Sequence, residues 1–296
     1  MTGLQQAAER LWLLASSRPD LLGQVCALAG GLVLVGVVAG RRGWSPALRT
    51  SVVQDGAYIG ARALLTLPLT VALLAGLDHL VATYAPGLQL GWLPGLPRWA
   101  QLVVYVVLMD AVAYGIHRAF HVVPFLWHFH AIHHSQQQVN PLTTTRIHLV
   151  ELLVKRVVMW APLAVLGEPA ETLAWFVFLD GLWGFVVHSG LRVPLGPLRY
   201  VLVEPDYHRL HHSRRPEHFN TNYAERLVVW DLLLGSARFE VPAQLATGID
   251  DPSFPHEASA GLLAASKTWI AQLIYPFRKL WSGSARSQRA ARPRGA

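Results

Sequence analysis

The sequence predicts an all-α membrane protein: about four to five transmembrane helices carrying a cytoplasmic, histidine-rich helical cap. Three observations lead there. The 296-residue chain is 52% hydrophobic and only 15% charged, whereas soluble domains are usually about a quarter charged. It contains apolar runs near the ~18 residues that cross a hydrocarbon core. Its histidines gather at helical spacings beside those runs.

Taken in order, Leu21 to Ala39 has no charge at all and predicts the first span. The same run lacks a small-residue cleavage site after it, so it reads as a span and not as a removed leader. Ala63 to Tyr84, interrupted only by Asp78 and His79, predicts the second. Trp99 to Ile116 predicts the third and stops where the first histidine pair begins. Leu149 to Leu166 and Thr172 to Val187 predict two more. Glu151, Lys155 and Arg156 open the former of these, where they would snorkel or line a site. Between spans three and four, Pro124 starts a short helix that Asn140-Pro141 ends. Leu262 to Trp281 predicts an amphipathic helix on the membrane surface, with Ile270, Ile274 and Phe277 against Lys267, Arg278 and Lys279. The last dozen residues, rich in Arg, Ser, Ala and Pro, are expected to be disordered. The chain thus divides into an N-terminal transmembrane region (1–100), a region holding nearly all the chemistry (101–241), and an interfacial helix with a basic tail (242–296).

Basic residues set the orientation. Arg41, Arg42, Arg49 and Arg62 fall between spans one and two, and Arg278, Lys279, Arg286 and Arg289 lie in the tail. The connection Gly167 to Glu171 has no Lys or Arg. Both basic segments belong in the cytoplasm, and alternating the spans puts every histidine cluster on that side. The net charge of +7 sits on these loops, which fits anionic lipid and orientation better than nucleic acid. Cys26 is the single cysteine, so neither an intramolecular disulfide nor a cysteine-based metal site is available.

The clusters are His117-x3-His121, His130-x2-His133-His134 and His208-x2-His211-His212. At this histidine frequency one H-x-x-H-H match has a chance probability of roughly 0.03, and the chain has two. Residues three or four apart share a helix face, and neutral imidazole is a metal ligand. A single zinc site needs only about three or four ligands, so eight imidazoles point to two metals. The bland reading is a set of interfacial polar residues bonded to lipid or backbone. His188, in Val187-His188-Ser189, is lone by spacing, which alone favours a satisfied core histidine. His148 is open between ligand, supporting partner and neither. His128 faces away from His130, His79 lies toward the opposite membrane face, and His218 and His256 fall in loops. Metal-bound imidazoles donate their other N–H to an acceptor. Asp110, Asp180, Asp231 and Asn222 are candidates, Asp180 equally as the partner of an arginine.

Several stretches together resemble the fatty acid hydroxylase superfamily, the membrane di-iron enzymes that include sterol desaturases and sterol methyl oxidases. They are Asp110-x6-His117-Arg118-x2-His121, Trp127-His128-x-His130-x2-His133-His134-Ser135, and Asn140-x2-Thr143 onward to Arg146. Val187-His188-Ser189-Gly190, Tyr207-His208-Arg209-x-His211-His212-Ser213 and Asn222-Tyr223 to Trp230-Asp231 extend the likeness over about residues 101–241. The resemblance implies that His188 is also a ligand, alongside the eight cluster histidines. It implies two non-haem irons, O2 as co-substrate, and hydroxylation or desaturation of a fatty acyl or sterol-like lipid at a bacterial inner membrane. No G-x-G-x-x-G fingerprint is present, so electrons would come from a separate ferredoxin or cytochrome b5-like donor. Two departures stand out: Ser189-Gly190 where bacterial members commonly have Ala-Asn, and Ala224 where Gly is usual. Two other classes compete. A metal transporter would place ligands at mid-membrane, and a zinc hydrolase would want fewer histidines and an H-E-x-x-H pattern, which is absent.

Overall fold

The computed structural model describes residues 19–167, 170–242, 244–257 and 261–281, and among these every regular element is a helix. The tail expected to be disordered lies outside the described residues from 282 onward.

Helix α1 (Pro19–Arg42) realises the first apolar run and packs along α7 (Ala170–Val187). Small residues make that contact close. A side chain at Gly31 would bring its Cβ to 2.5 Å from the Phe185 ring, and one at Gly181 to 2.8 Å from the Ala27 Cβ. Small residues at such crossings are how membrane helices gain packing without a hydrophobic driving force.

The loop expected between spans one and two is a helix. Ser45 accepts a hydrogen bond from the Leu48 N–H and Pro46 occupies the first turn, so α2 (Pro46–Ala61) begins at once. It passes through a π-helical turn, Arg62–Thr66, into α3 (Leu67–Tyr84). The whole rod has 39 residues. At 1.5 Å per residue it is about 58 Å long, roughly twice a hydrocarbon core. Its halves differ accordingly. α2 buries Leu48, Ser51, Gln54, Asp55 and Tyr58, while α3 buries only Thr70. Leu64 is 77% exposed, and Leu69 and Leu80 are exposed with it. Large apolar side chains in such number mark a surface that faces something other than water.

Helix α4 (Arg98–Val122) turns at Val123 into α5 (Pro124–His134). That helix starts at Pro124 as expected but ends at His134. Asn140 instead caps a 3-10 turn, Pro141–Thr145, accepting from the Leu142 N–H while Thr143 Oγ accepts from its own N–H, both at 2.9 Å. This turn nests against α1, α2 and α7. Then come α6 (Leu149–Leu166), α7, α8 (Pro205–His211), α9 (Val229–Leu233) and α10 (Leu262–Trp281). Among the described residues, the α2–α3 rod and α4 are long and apolar enough to cross a membrane. α1 and α7 carry the shorter apolar stretches Val25–Arg41 and Trp175–Val187. α10 is only half free: Ala265, Gln272 and Tyr275 are buried, with α10 packed on α2 and α5, while Ile270, Ile274, Phe277 and Trp281 are exposed.

Candidate metal centre

Four helices deliver nine imidazoles to one place. His117 and His121 occupy one face of the last turns of α4. The reversal at Val123-Pro124 folds α5 back, so that His130, His133 and His134 oppose them. His188 follows α7, and α8 with its terminal cap supplies His208, His211 and His212. His121 alone is half-buried; the other eight are buried.

The donors sort into two groups, and within each one ligand atom per residue lies within 4.8 Å of the rest. One contains His117, His121, His130, His134 and His211; the other His133, His188, His208 and His212. In the first, His117 Nε2 lies 3.1 Å from His130 Nε2. In the second, His188 Nε2 lies 2.9 Å from His208 Nε2 and 3.3 Å from His133 Nε2. The groups abut, since the His134 and His212 rings stack at 4.4 Å and the His130 ring lies 5.2 Å from that of His133.

Four of the outward nitrogens are tied down. His130 Nδ1 donates to Glu151 Oε1 at 2.8 Å. His117, His211 and His188 donate from Nδ1 to the carbonyls of Tyr223, Thr221 and Gly184 at 2.7, 2.8 and 2.7 Å. Each such bond fixes the tautomer and turns Nε2 inward. Burial holds the imidazoles neutral: it depresses His133, His134, His208 and His212 well below the usual histidine range, His188 to about 4 and His211 to about 3. Neighbouring imidazoles push in the same direction. The buried Nε2 atoms of His121, His134 and His211 have no protein partner. Buried polar atoms are normally satisfied, so three unpartnered ring nitrogens in one five-imidazole group fit the binding of a cation.

The expected supporting residues act differently from the expectation. None of Asp110, Asp231 and Asn222 accepts from a cluster imidazole. Asp110 takes Arg226 Nη1 at 2.8 Å, the Leu227 N–H at 2.9 Å and Trp230 Nε1 at 3.0 Å. Asp180 also pairs with Arg226. Asp231 accepts from the Tyr207 hydroxyl, the N–H groups of Tyr223 and Ala224, and Ser236 Oγ at 2.6–2.9 Å. Asn222, at φ 58°, donates to the carbonyls of Tyr207 and Arg238 and accepts from the Arg238 N–H. Asp231 and Asn222 therefore shape the loop whose carbonyls hold His117 and His211. His148 is not brought to the clusters. Its Nδ1 accepts from the Val150 N–H as the cap of α6, and its Nε2 meets the Leu273 carbonyl at 3.1 Å.

Two participants were hidden from the sequence. Glu151 showed itself only as a charge in an apolar run. Asp55 gave no signal, yet it accepts from Gln136 Nε2, Asn140 Nδ2 and Arg146 Nε at 2.8–2.9 Å and so anchors the segment that follows His134.

Comparison with known proteins places this architecture. Residues 102–236 match the family model described as fatty acid hydroxylase. The chain is 32% identical over 189 residues to the ornithine lipid hydroxylase OlsE of Rhizobium tropici, covering 64% of this chain and 54% of that protein. It is 33% identical over 128 residues to the alkylglycerol monooxygenase of Xenopus tropicalis, covering 43% and 28% respectively. It is 31% identical over 192 residues to the fatty acid hydroxylase vlmA of Lecanicillium sp, covering 58% and 52%. The aligned stretch thus spans about half or less of each relative. No solved structure gives a significant match.

Proposed function

From the premise that residues 102–236 belong to the fatty acid hydroxylase superfamily, we propose that the protein is a membrane-bound lipid hydroxylase that uses two non-haem irons and O2. The observation that carries this reading is the sorting of nine convergent imidazoles into two abutting groups. His117, His121, His130, His134 and His211 would hold one iron, and His133, His188, His208 and His212 the other. Iron bound there would supply the oxidising power toward O2 and an unactivated C–H bond that amino-acid side chains lack, and imidazole suits Fe(II). The chain's own work is orientation. Glu151 and the carbonyls of Tyr223, Thr221 and Gly184 set four rings before any metal arrives. Trp127, with its ring 5.2 Å from His121 and 5.5 Å from His134, and Tyr223, 5.2 Å from His121, close one flank against water.

The relatives' names favour hydroxylation over desaturation, and a lipid with a polar head and an apolar chain as substrate. In this reading α1, α3, α4, α6 and α7 span a bacterial inner membrane and the histidines face the cytoplasm. There a separate one-electron carrier, ferredoxin or cytochrome b5-like, would reduce the irons. A transporter fits less well, because His117 and His121 sit at one end of α4 and not at its middle. A hydrolase with a single zinc would have no use for a second group of imidazoles.

Metal analysis of protein purified from iron-replete cells tests this. About two irons per chain are expected for two sites, with oxygen from labelled O2 appearing in a membrane lipid. Stoichiometric, redox-silent zinc without lipid oxidation would overturn it.

A further inference from the structure

The segments 198–203 and 226–236 follow the last expected span, Thr172 to Val187, and their partners place them deeper than that order suggests. Asp110 is at the midpoint of α4 and Asp180 near the middle of α7. Arg226 pairs with both, and the Leu227 N–H and Trp230 Nε1 also bond Asp110. Ser236 Oγ meets the Tyr114 hydroxyl at 2.8 Å, one turn further along α4. His117 lies seven residues beyond Asp110, about 10 Å along the helix. Residues 226–236 therefore lie beside the body of α4, on the span side of the histidines.

At that depth they present large apolar side chains outward. Leu233 is 71% exposed, and Leu232, Leu234, Leu198, Tyr200 and Val201 are exposed around it. The backbone, by contrast, is closed off. Val203 N–H bonds the Arg226 carbonyl at 2.8 Å, Val228 N–H the Val201 carbonyl at 2.9 Å, and Leu202 and Leu227 form an isolated bridge. Leu232, Leu234 and Ser236 N–H groups bond back to Val228, Trp230 and Asp231. Non-helical backbone survives at membrane depth only when its polar groups are satisfied by protein.

We propose that residues 198–203 and 226–236 form a re-entrant element that enters the bilayer beside α4 and α7, with Leu232, Leu233 and Leu234 in contact with lipid acyl chains. Arg226 is the pin that holds it there. The proposal rests on the membrane-spanning reading above but not on the chemistry of the metal centre.

Site-directed spin labelling tests it on the full chain in phospholipid vesicles. With Cys26→Ala as background, a nitroxide is placed at Leu233→Cys, at Leu69→Cys on α3, or at Glu217→Cys on the exposed cap. The Leu233 label is expected to collide several-fold more often with O2 than with a water-soluble nickel chelate, as at Leu69 and opposite to Glu217. A Leu233 label as open to nickel as Glu217, with Leu69 still in lipid, overturns the re-entrant element alone. A label shielded from both reagents overturns it in favour of a second protein surface. Nickel access at Leu69 as well would overturn the spanning reading itself.

Discussion

At the scale of the residue, four of the nine imidazoles are held by a protein acceptor, and among the described residues Glu151 is the one charged side chain in that role. It is fully buried, and beside His130 Nδ1 it meets Lys155 Nζ at 3.3 Å. Acceptors behind a ligand imidazole contribute about 10–100-fold in metal affinity. Glu151→Ala is therefore expected to weaken iron binding by about that factor while the protein remains in the membrane. Glu151→Gln, which keeps an acceptor, should lose less. Iron titration monitored by optical absorption checks this, and an unchanged affinity in Glu151→Ala would remove Glu151 from the site. How far such roles could be read in advance differs by residue. The eight cluster histidines were legible because their spacing is helical, whereas His188, lone by spacing, was marked only by the family resemblance. Asp110, Asp231 and Asn222 were legible as buried polar groups but not as to what they hold, since that depends on which loop folds over which helix. Carbonyl acceptors at Gly184, Thr221 and Tyr223 leave no mark on residue type at all.

At the scale of the element, apolar runs marked α1, α3, α4, α6 and α7, and Pro124 marked the start of α5. What periodicity could not show was that α2 is continuous with α3, because the polar residues Gln54 and Asp55 look like loop residues until Gln136, Asn140 and Arg146 surround the carboxylate. Arg226 is the corresponding joint on the other side, bridging α4 and α7 through Asp110 and Asp180. Removing one partner of a buried pair leaves a charge uncompensated, which typically costs about 3–5 kcal/mol. Asp110 is wholly buried and keeps only the Leu227 N–H and Trp230 Nε1 once Arg226 is gone. Arg226→Met should accordingly destabilise the folded protein by about 3 kcal/mol or more, measured by denaturant unfolding in detergent micelles. Double replacement with Asp110→Asn should recover part of that loss, and its failure to do so would show that the arginine works through packing instead.

At the scale of the whole molecule, the histidines tie α4, α5, α7 and α8 to one another, so metal should hold the fold as well as serve the reaction. A ligand that binds only the native state stabilises it by about 2.7 kcal/mol at a hundred times its Kd. Two such sites would give about 5 kcal/mol, which for a chain of this size corresponds to roughly 10–20 °C in Tm. Stripping with a chelator should lower Tm by about that much and Fe(II) should restore it, whatever the substrate proves to be. Stability of the stripped protein should also depend on pH. His188 and His211 are held at about 4 and 3 by burial, below the unfolded value of 6.5. The unfolded chain then binds more protons between those limits, so stability is fully present above pH ~6.5 and falls as the pH drops from there toward 4. With metal occupying the same nitrogens, protons must displace it, and the decline should start at lower pH. Melting curves of stripped and loaded protein at pH 5.5 and 7.5 separate the two states. Coincident curves would mean that the clusters bind no metal strongly enough to matter to the fold.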